Sequence, residues 1–257
     1  MRSIFTLTCI LLSLASSAIA ELKLPAIFND HLVLQRGLAN PVWGWADPGA
    51  SVTVKFSGQE KTATADDAGE WKVKLDPIAD ANSEPQTISI SSGQQLQELK
   101  DVLIGDVWIC SGQSNMEWRV SQSANPQEEI AAADHPLIRI FDVQGHTTSG
   151  VPKDDLRGTW NAVTPQTIAG FSAVGFYFGR EQHQQTGVPI GLIGTNWGGT
   201  RVEPWTPPVG FASVPELKNL SDQVKANDPT TEEGKAKFDA YLKQMETWVE
   251  NARKTVA

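Results

Sequence analysis

The sequence predicts a molecule in two parts, an all-β region folded as a β-sandwich and then an α/β domain built around a parallel sheet. Two observations carry this. From residue 22 to about residue 100, short segments alternate apolar and polar side chains, the period-two pattern of half-buried strands. From about Asp101 the pattern changes to apolar runs separated by helix-compatible stretches, as βαβ units require. The expected organisation is a leader over 1–20, a β-sandwich over 21–100 and an α/β domain over 101–257.

In the first part, Val52–Phe56, Trp71–Leu75 and Thr87–Ser91 each alternate, and turn-forming residues separate them at Asp47-Pro-Gly49, Asp66-Asp-Ala-Gly69 and Asp76-Pro77. In the second, Val102–Cys110 reads as a buried strand and 126–133 as a helix-compatible stretch. Ile138–Val143 is a strand, Val174–His183 a helix, and Val188–Ile193 a strand that leads into the loop Gly194–Thr200. Near the end, Phe238, Tyr241, Leu242, Met245, Trp248 and Val249 recur at helical spacing, preceded by Thr230-Thr-Glu-Glu233 as a capping box. This amphipathic helix is expected to pack its apolar stripe on its own domain.

Arg2, the apolar run Ile4–Leu14 and the small residues Ala18-Ile19-Ala20 form the pattern of a cleavable signal peptide. The run is shorter than the roughly 20 residues a membrane span needs. A secreted or periplasmic protein with no membrane span in its mature chain is therefore expected. Loss of the leader removes Cys9 and leaves Cys110 alone, so no intramolecular disulfide is expected and Cys110 should serve packing. The formal charge of −9 becomes −10 once Arg2 is lost, and no basic stripe interrupts it, which argues against a nucleic-acid partner. His31, His135, His146 and His183 lack metal-ligand spacing, so neither a metal site nor a cofactor is expected. Most of the nine tryptophans are assigned to the core.

The chemistry is expected where the apolar run of residues 102–110 halts. Gly112 supplies the permissive backbone of a sharp turn and presents Ser114 at the carboxyl end of a buried strand, where open α/β sheets place their sites. The longer string Gly105-Asp-Val-Trp-Ile-Cys-Ser-Gly-Gln-Ser-Asn-Met116 closely resembles the nucleophile block of the sialate O-acetylesterase family, carbohydrate esterases of the SGNH-hydrolase superfamily. Residues 27–36 and 41–49 resemble the opening of the same family, and residues 188–205 its second signature block. Asp30-His31 lies in a β-rich segment without a nearby nucleophile, and is read as structural.

The resemblance implies a flavodoxin-like SGNH-hydrolase fold for the second part, incomplete at its C-terminus, and a serine esterase that needs no cofactor. Ser114 is then the nucleophile, and Gly199 the preferred oxyanion donor with Gly198 as the alternative. Gln113, Asn115, Glu203 and Trp205 become substrate-binding groups. The partner is an acetylated sugar or glycan, sialic acid first and acetylated xylan as a rival. The family's Gln-Gly-Glu-like block and late Asp-x-x-His do not occur in these 257 residues, since the positions three before each histidine hold Phe28, Ala132, Val143 and Arg180. The expectation is therefore a nucleophile without its base, inactive alone. A non-catalytic sugar-binding fragment is the rival from another class.

Overall fold

The protein is described by a computed structural model covering residues 21–145 and 151–256; the expected leader and His146 lie outside the described residues. The strands β1 (Val33–Gln35), β2 (Asn40–Trp45), β3 (Ser51–Phe56), β4 (Gln59–Thr64), β5 (Glu70–Leu75) and β6 (Asn82–Ser92) come first. They lead into β7 (Gln95–Gly112), which is followed by α1 (Ser114–Glu117), α2 (Pro126–Ala131), β8 (His135–Asp142) and β9 (Trp160–Val163). Then come α3 (Ala173–Thr186), β10 (Ile190–Asn196), α4 (Pro208–Ala212), α5 (Lys218–Ala226) and α6 (Glu232–Val256).

Local chemistry sets the hairpins. Phe56 pairs with Gln59 across a two-residue loop in which Ser57 and Gly58 both have positive φ (48° and 76°), the primed-turn geometry that matches strand twist. The Asp66 carboxylate accepts from the backbone N–H groups of Ala68 and Glu70 (both 2.9 Å) and so closes the turn into β5. Val42, Val73 and Leu75 of the two-stranded β2–β5 sheet share one buried cluster with Val52, Val54, Phe56, Ile88, Ile90 and Leu99 of the larger sheet.

The larger sheet runs β4-β3-β6-β7-β10-β8-β9, and β1 adds parallel to β7. Strand β7 is 18 residues long, roughly 60 Å at the usual rise. Its first part is antiparallel to β6, and Asp106–Gly112 is parallel to β10. With β8 parallel to β10, helices packed alongside and an antiparallel β9, this is a mixed sheet in an α/β fold. The strand order β7-β10-β8 departs from the flavodoxin-like expectation, in which the first strand lies between the second and the third. Here the later strand β10 inserts between β7 and β8, and among the described residues Val107–Gly112 pairs on one side only.

Helix α3 forms where the sequence predicts a helix. Ser172 caps it by accepting from Gly175 N–H, and Gly187 closes it at φ 70°. Phe176 from this helix joins Cys110, Ile138, Ile140, Ile190 and Leu192 in a second buried cluster. Burial pushes the Cys110 thiol up to about 11, which suits a packing residue and not a nucleophile.

Two expectations about α6 need correction. Its cap is Thr231, whose hydroxyl accepts from Gly234 N–H (3.0 Å), while Thr230 turns back to Asp228. Its apolar stripe does not pack on the domain: Phe238, Tyr241, Leu242, Met245, Trp248 and Val249 are all exposed. The helical period was read correctly, but periodicity identifies the face that seeks burial and not what covers it.

Candidate active site

The site forms where β7 and β10 end side by side. Asn196 is the register partner of Gly112, and Trp197 N–H continues the ladder to the Gly112 carbonyl at 2.9 Å. Gly112 has φ 139°, a conformation L side chains rarely adopt, so the turn demands glycine. Gln113 follows in a non-helical conformation, and Ser114 opens the single turn α1. As the first helical residue, Ser114 has a backbone N–H that no helical carbonyl takes. Its side chain is exposed, and its hydroxyl donates to Gln113 Oε1 at 3.3 Å, an amide oxygen and not a base.

Glu117 is the functional residue that sequence reasoning missed. It lies one turn after Ser114, and its carboxylate accepts Gly198 N–H at 2.6 Å, which fastens the loop after β10 to the Ser114 turn. A side chain at Gly198 would collide with that carboxylate, and Ser114 Cα lies 3.6 Å from the same point. Gly199 is exposed, has φ 77°, and faces open space. The signal was in the sequence, because Glu117 directly follows the first block, but its partner is 81 residues away.

The remaining loop is tied to itself. Thr200 Oγ1 donates to the Trp197 carbonyl (2.7 Å) and accepts Trp205 Nε1–H (2.8 Å). Glu203 and Trp205 form a short 3₁₀ turn and line a cleft of about 410 Å³ with Val151, Pro152, Phe211 and Val224. Asn115 is exposed beside Ser114, and Ser114 is not among the cleft-lining residues.

The described histidines lie at the other end of the sheet. His31 Nδ1 is 2.6 Å from Asp101 Oδ2, and Asp101 precedes Gly112 on β7 by a run of roughly 35 Å. Arg139, 4% exposed, completes this cluster with bonds to Asp101 of 2.5 and 3.0 Å. Burial works to raise the Asp101 carboxyl, but hydrogen bonds from Arg139 and His31 outweigh it and hold the group below the usual carboxylate range. His135 opens β8, whose far end, Asp142, is level with Gly194; roughly 23 Å separates the two ends. Burial, and then the charge of Arg180, keep His135 below the usual histidine range and so favour its neutral form. His183 is held at 2.7 Å from the Val188 carbonyl, near the start of β10 and roughly 25 Å of strand from Asn196. Among the described residues no group of three or more His, Cys, Asp or Glu side chains could hold a metal ion, and no helix is long and apolar enough to cross a membrane.

Comparison with known proteins places this geometry in context. A family model described as carbohydrate esterase, sialic acid-specific acetylesterase, matches residues 104–257. The sialate O-acetylesterase of Mus musculus is 34% identical over 215 residues, covering 77% of this chain and 40% of its own length. That of Homo sapiens is 34% identical over 207 residues, covering 72% and 38%. Among solved structures, a novel carbohydrate acetylesterase from Xanthomonas citri superposes with a TM-score of 0.70 at 37% identity, covering 77% of this chain and 45% of that one. The chain thus spans about 40% of the length of the relatives it matches.

Proposed function

The chain belongs to the sialic acid-specific acetylesterase family, and from that premise we propose that it carries the acyl-transfer centre of a serine esterase acting on O-acetylated sialic acid or a related glycan. The observation that carries this reading is the joining of the two loops by Glu117 and Gly198 beside Ser114. With Gly198 N–H committed to Glu117, Gly199 becomes the donor of choice in this loop, to act beside the N–H of Ser114.

Ser114 Oγ attacks the acetyl carbonyl carbon and forms an acetyl-enzyme, while the sugar oxygen leaves with a proton. Water then attacks the acetyl carbonyl and releases acetate. Gln113 and Asn115 flank the nucleophile, and Glu203 and Trp205 shape the sugar side through the Thr200–Trp197 tether. The three described histidines lie at the far end of the sheet, so none of them is assigned as the proton acceptor. Residues 21–100 are assigned to a β-sandwich and 101–257 to the esterase domain. The leader grammar of residues 1–20 directs the protein outside the cytoplasm, to the periplasm or the medium.

The test is turnover of p-nitrophenyl acetate and of O-acetylated N-acetylneuraminic acid by a form of the enzyme that includes its base. Ser114→Ala should abolish both while circular dichroism stays unchanged. Retained turnover in a folded variant would move the nucleophile, with Ser111 next in line.

A further inference from the structure

A second groove, of about 400 Å³, lies on the outer face of the β2–β5 sheet and is lined by Trp43, Trp45, Asp66, Glu70, Lys72 and Asp154. Strand alternation sends Val42 and Gly44 into the core and Trp43 and Trp45 outward, where both indoles remain only half-buried. Two large aromatic side chains, one pleat apart, keep part of their surface wet on this face, although Trp43 also packs one edge against the core at Phe28.

The register places Lys72 beside Trp43 and Glu70 beside Trp45, so each indole has a charged hydrogen-bonding neighbour. Trp43 is fixed edge-on against Phe28 (4.7 Å between centroids) and donates its Nε1–H to the Asp154 carbonyl at 2.9 Å, which sets the ring at a defined angle. Among the described residues, the side-chain carboxylates of Glu70 and Asp154 have no hydrogen-bond partner, and the lining Trp71, 3% exposed, keeps an indole Nε1 that also has none. Lys23 and Lys72 hover over the rings at 5.1 and 6.0 Å, attractions weak enough at an exposed site to yield to a ligand.

We propose that this groove is a carbohydrate-binding subsite, separate from the Ser114 centre, for uncharged pyranose units. An indole face matches the apolar face of a pyranose ring, and flanking carboxylates accept from its hydroxyl groups, the combination of apolar lining and few polar anchors that small-ligand sites show. The volume falls within the usual range for such sites. Charge decides the class of sugar. Three carboxylates, on Asp66, Glu70 and Asp154, outnumber Lys72 of the lining and Lys23 over Trp45, so the groove keeps a net negative charge that disfavours an anionic sugar such as free sialic acid and accepts a neutral one. Asp154 lies two residues from Pro152, which lines the cleft beneath Trp205, so one short segment borders both sites. A glycan could therefore place its neutral units on the tryptophans while another unit approaches the loop after β10. The subsite does not depend on the esterase reading, because it requires no residue of that centre.

The test is calorimetric and fluorescence titration of the purified full chain with xylotetraose, cellotetraose and N-acetylneuraminic acid. Saturable binding of at least one neutral tetrasaccharide is expected, without binding of N-acetylneuraminic acid. Trp45→Ala should weaken that binding by about threefold to tenfold, the loss of one stacking platform. Ser114→Ala should leave it unchanged. Should Trp45→Ala fail a circular dichroism control, Glu70→Ala at an exposed position carries the same test, with an expected loss of about threefold. Absence of saturable binding by both neutral sugars, preference for N-acetylneuraminic acid, unchanged affinity in the folded groove variant, or loss of binding in Ser114→Ala would each overturn the proposal.

Discussion

Two adjacent glycines in the loop after β10 have different duties. Gly198 N–H is consumed by the Glu117 carboxylate, and its Cα is packed too closely to carry a side chain. Gly199 has room for one, but its φ of 77° makes any L residue strained by roughly 1–2 kcal/mol. Gly199→Ala should therefore fold, with a small loss of stability, and disturb the oxyanion donor proposed for this position. In an enzyme form with its base, kcat is expected to fall by about two orders of magnitude with KM moving less, because the oxyanion bond strengthens chiefly in the transition state. Steady-state kinetics on p-nitrophenyl acetate check this; a raised KM at constant kcat would make the loop a binding turn. Gly198→Ala should instead unseat Glu117 and cost both stability and rate. At this scale the sequence was informative about Gly112, whose φ of 139° calls for glycine, and about the turn on which Ser114 is presented. It was silent on Glu117, since a carboxylate in a short helical turn reads as solvated until the distant loop is seen beside it.

Among the elements, β7 joins everything, and Asp101 is its most constrained point. It has φ 55°, and it binds Arg139 from β8 and His31, itself at φ 69°. Aspartate and asparagine tolerate this backbone better than other residues, so Asp101→Asn removes the charge with little change of shape. The nearly buried guanidinium of Arg139 then loses its counter-ion, and a loss of about 3–5 kcal/mol is expected from urea unfolding. The pH dependence follows from the depressed Asp101 carboxyl. The folded state holds fewer protons than the unfolded one, so this stability is fully present above the unfolded value near 3.9 and is lost as pH falls through the lower folded value. The wild-type chain should lose stability on acidification through that window, and Asp101→Asn should lose less over the same range. Strands with clear alternation, such as β3 and β5, were legible because one face is buried. Strand β4, Gln59-Glu-Lys-Thr-Ala-Thr64, was not, because its polar sequence pairs only once the Ser57-Gly58 turn folds it onto β3.

For the whole molecule, Ser114 and the described histidines stand at opposite ends of one sheet, and this excludes those three as its base. Ser114 sits at the carboxyl ends of β7 and β10, while His31, His135 and His183 are fixed near the opposite ends of the strands by Asp101, by the start of β8 and by the Val188 carbonyl. No side-chain motion spans roughly 23–35 Å, so none of the three can take the Ser114 proton. The same ends of the sheet leave apolar surface uncovered: Trp108 and Ile109 on the one-sided stretch of β7 are 43% and 71% exposed, and the stripe of α6 is open as well. A serine without its base keeps only about 10³–10⁴-fold catalysis over water, the share left to oxyanion donors and binding. The purified chain should accordingly turn over p-nitrophenyl acetate far below the roughly 1 per second of an ordinary enzyme, with little difference between Ser114 and Ser114→Ala. Its open strand edge and helix stripe should also make it self-associate at high concentration, visible as concentration-dependent mass in light scattering. Turnover above 1 per second that disappears in Ser114→Ala would mean that a base acts within the chain. His146, outside the described residues, would then be the side chain to replace first, because the other three are held in place too far from the hydroxyl to serve it.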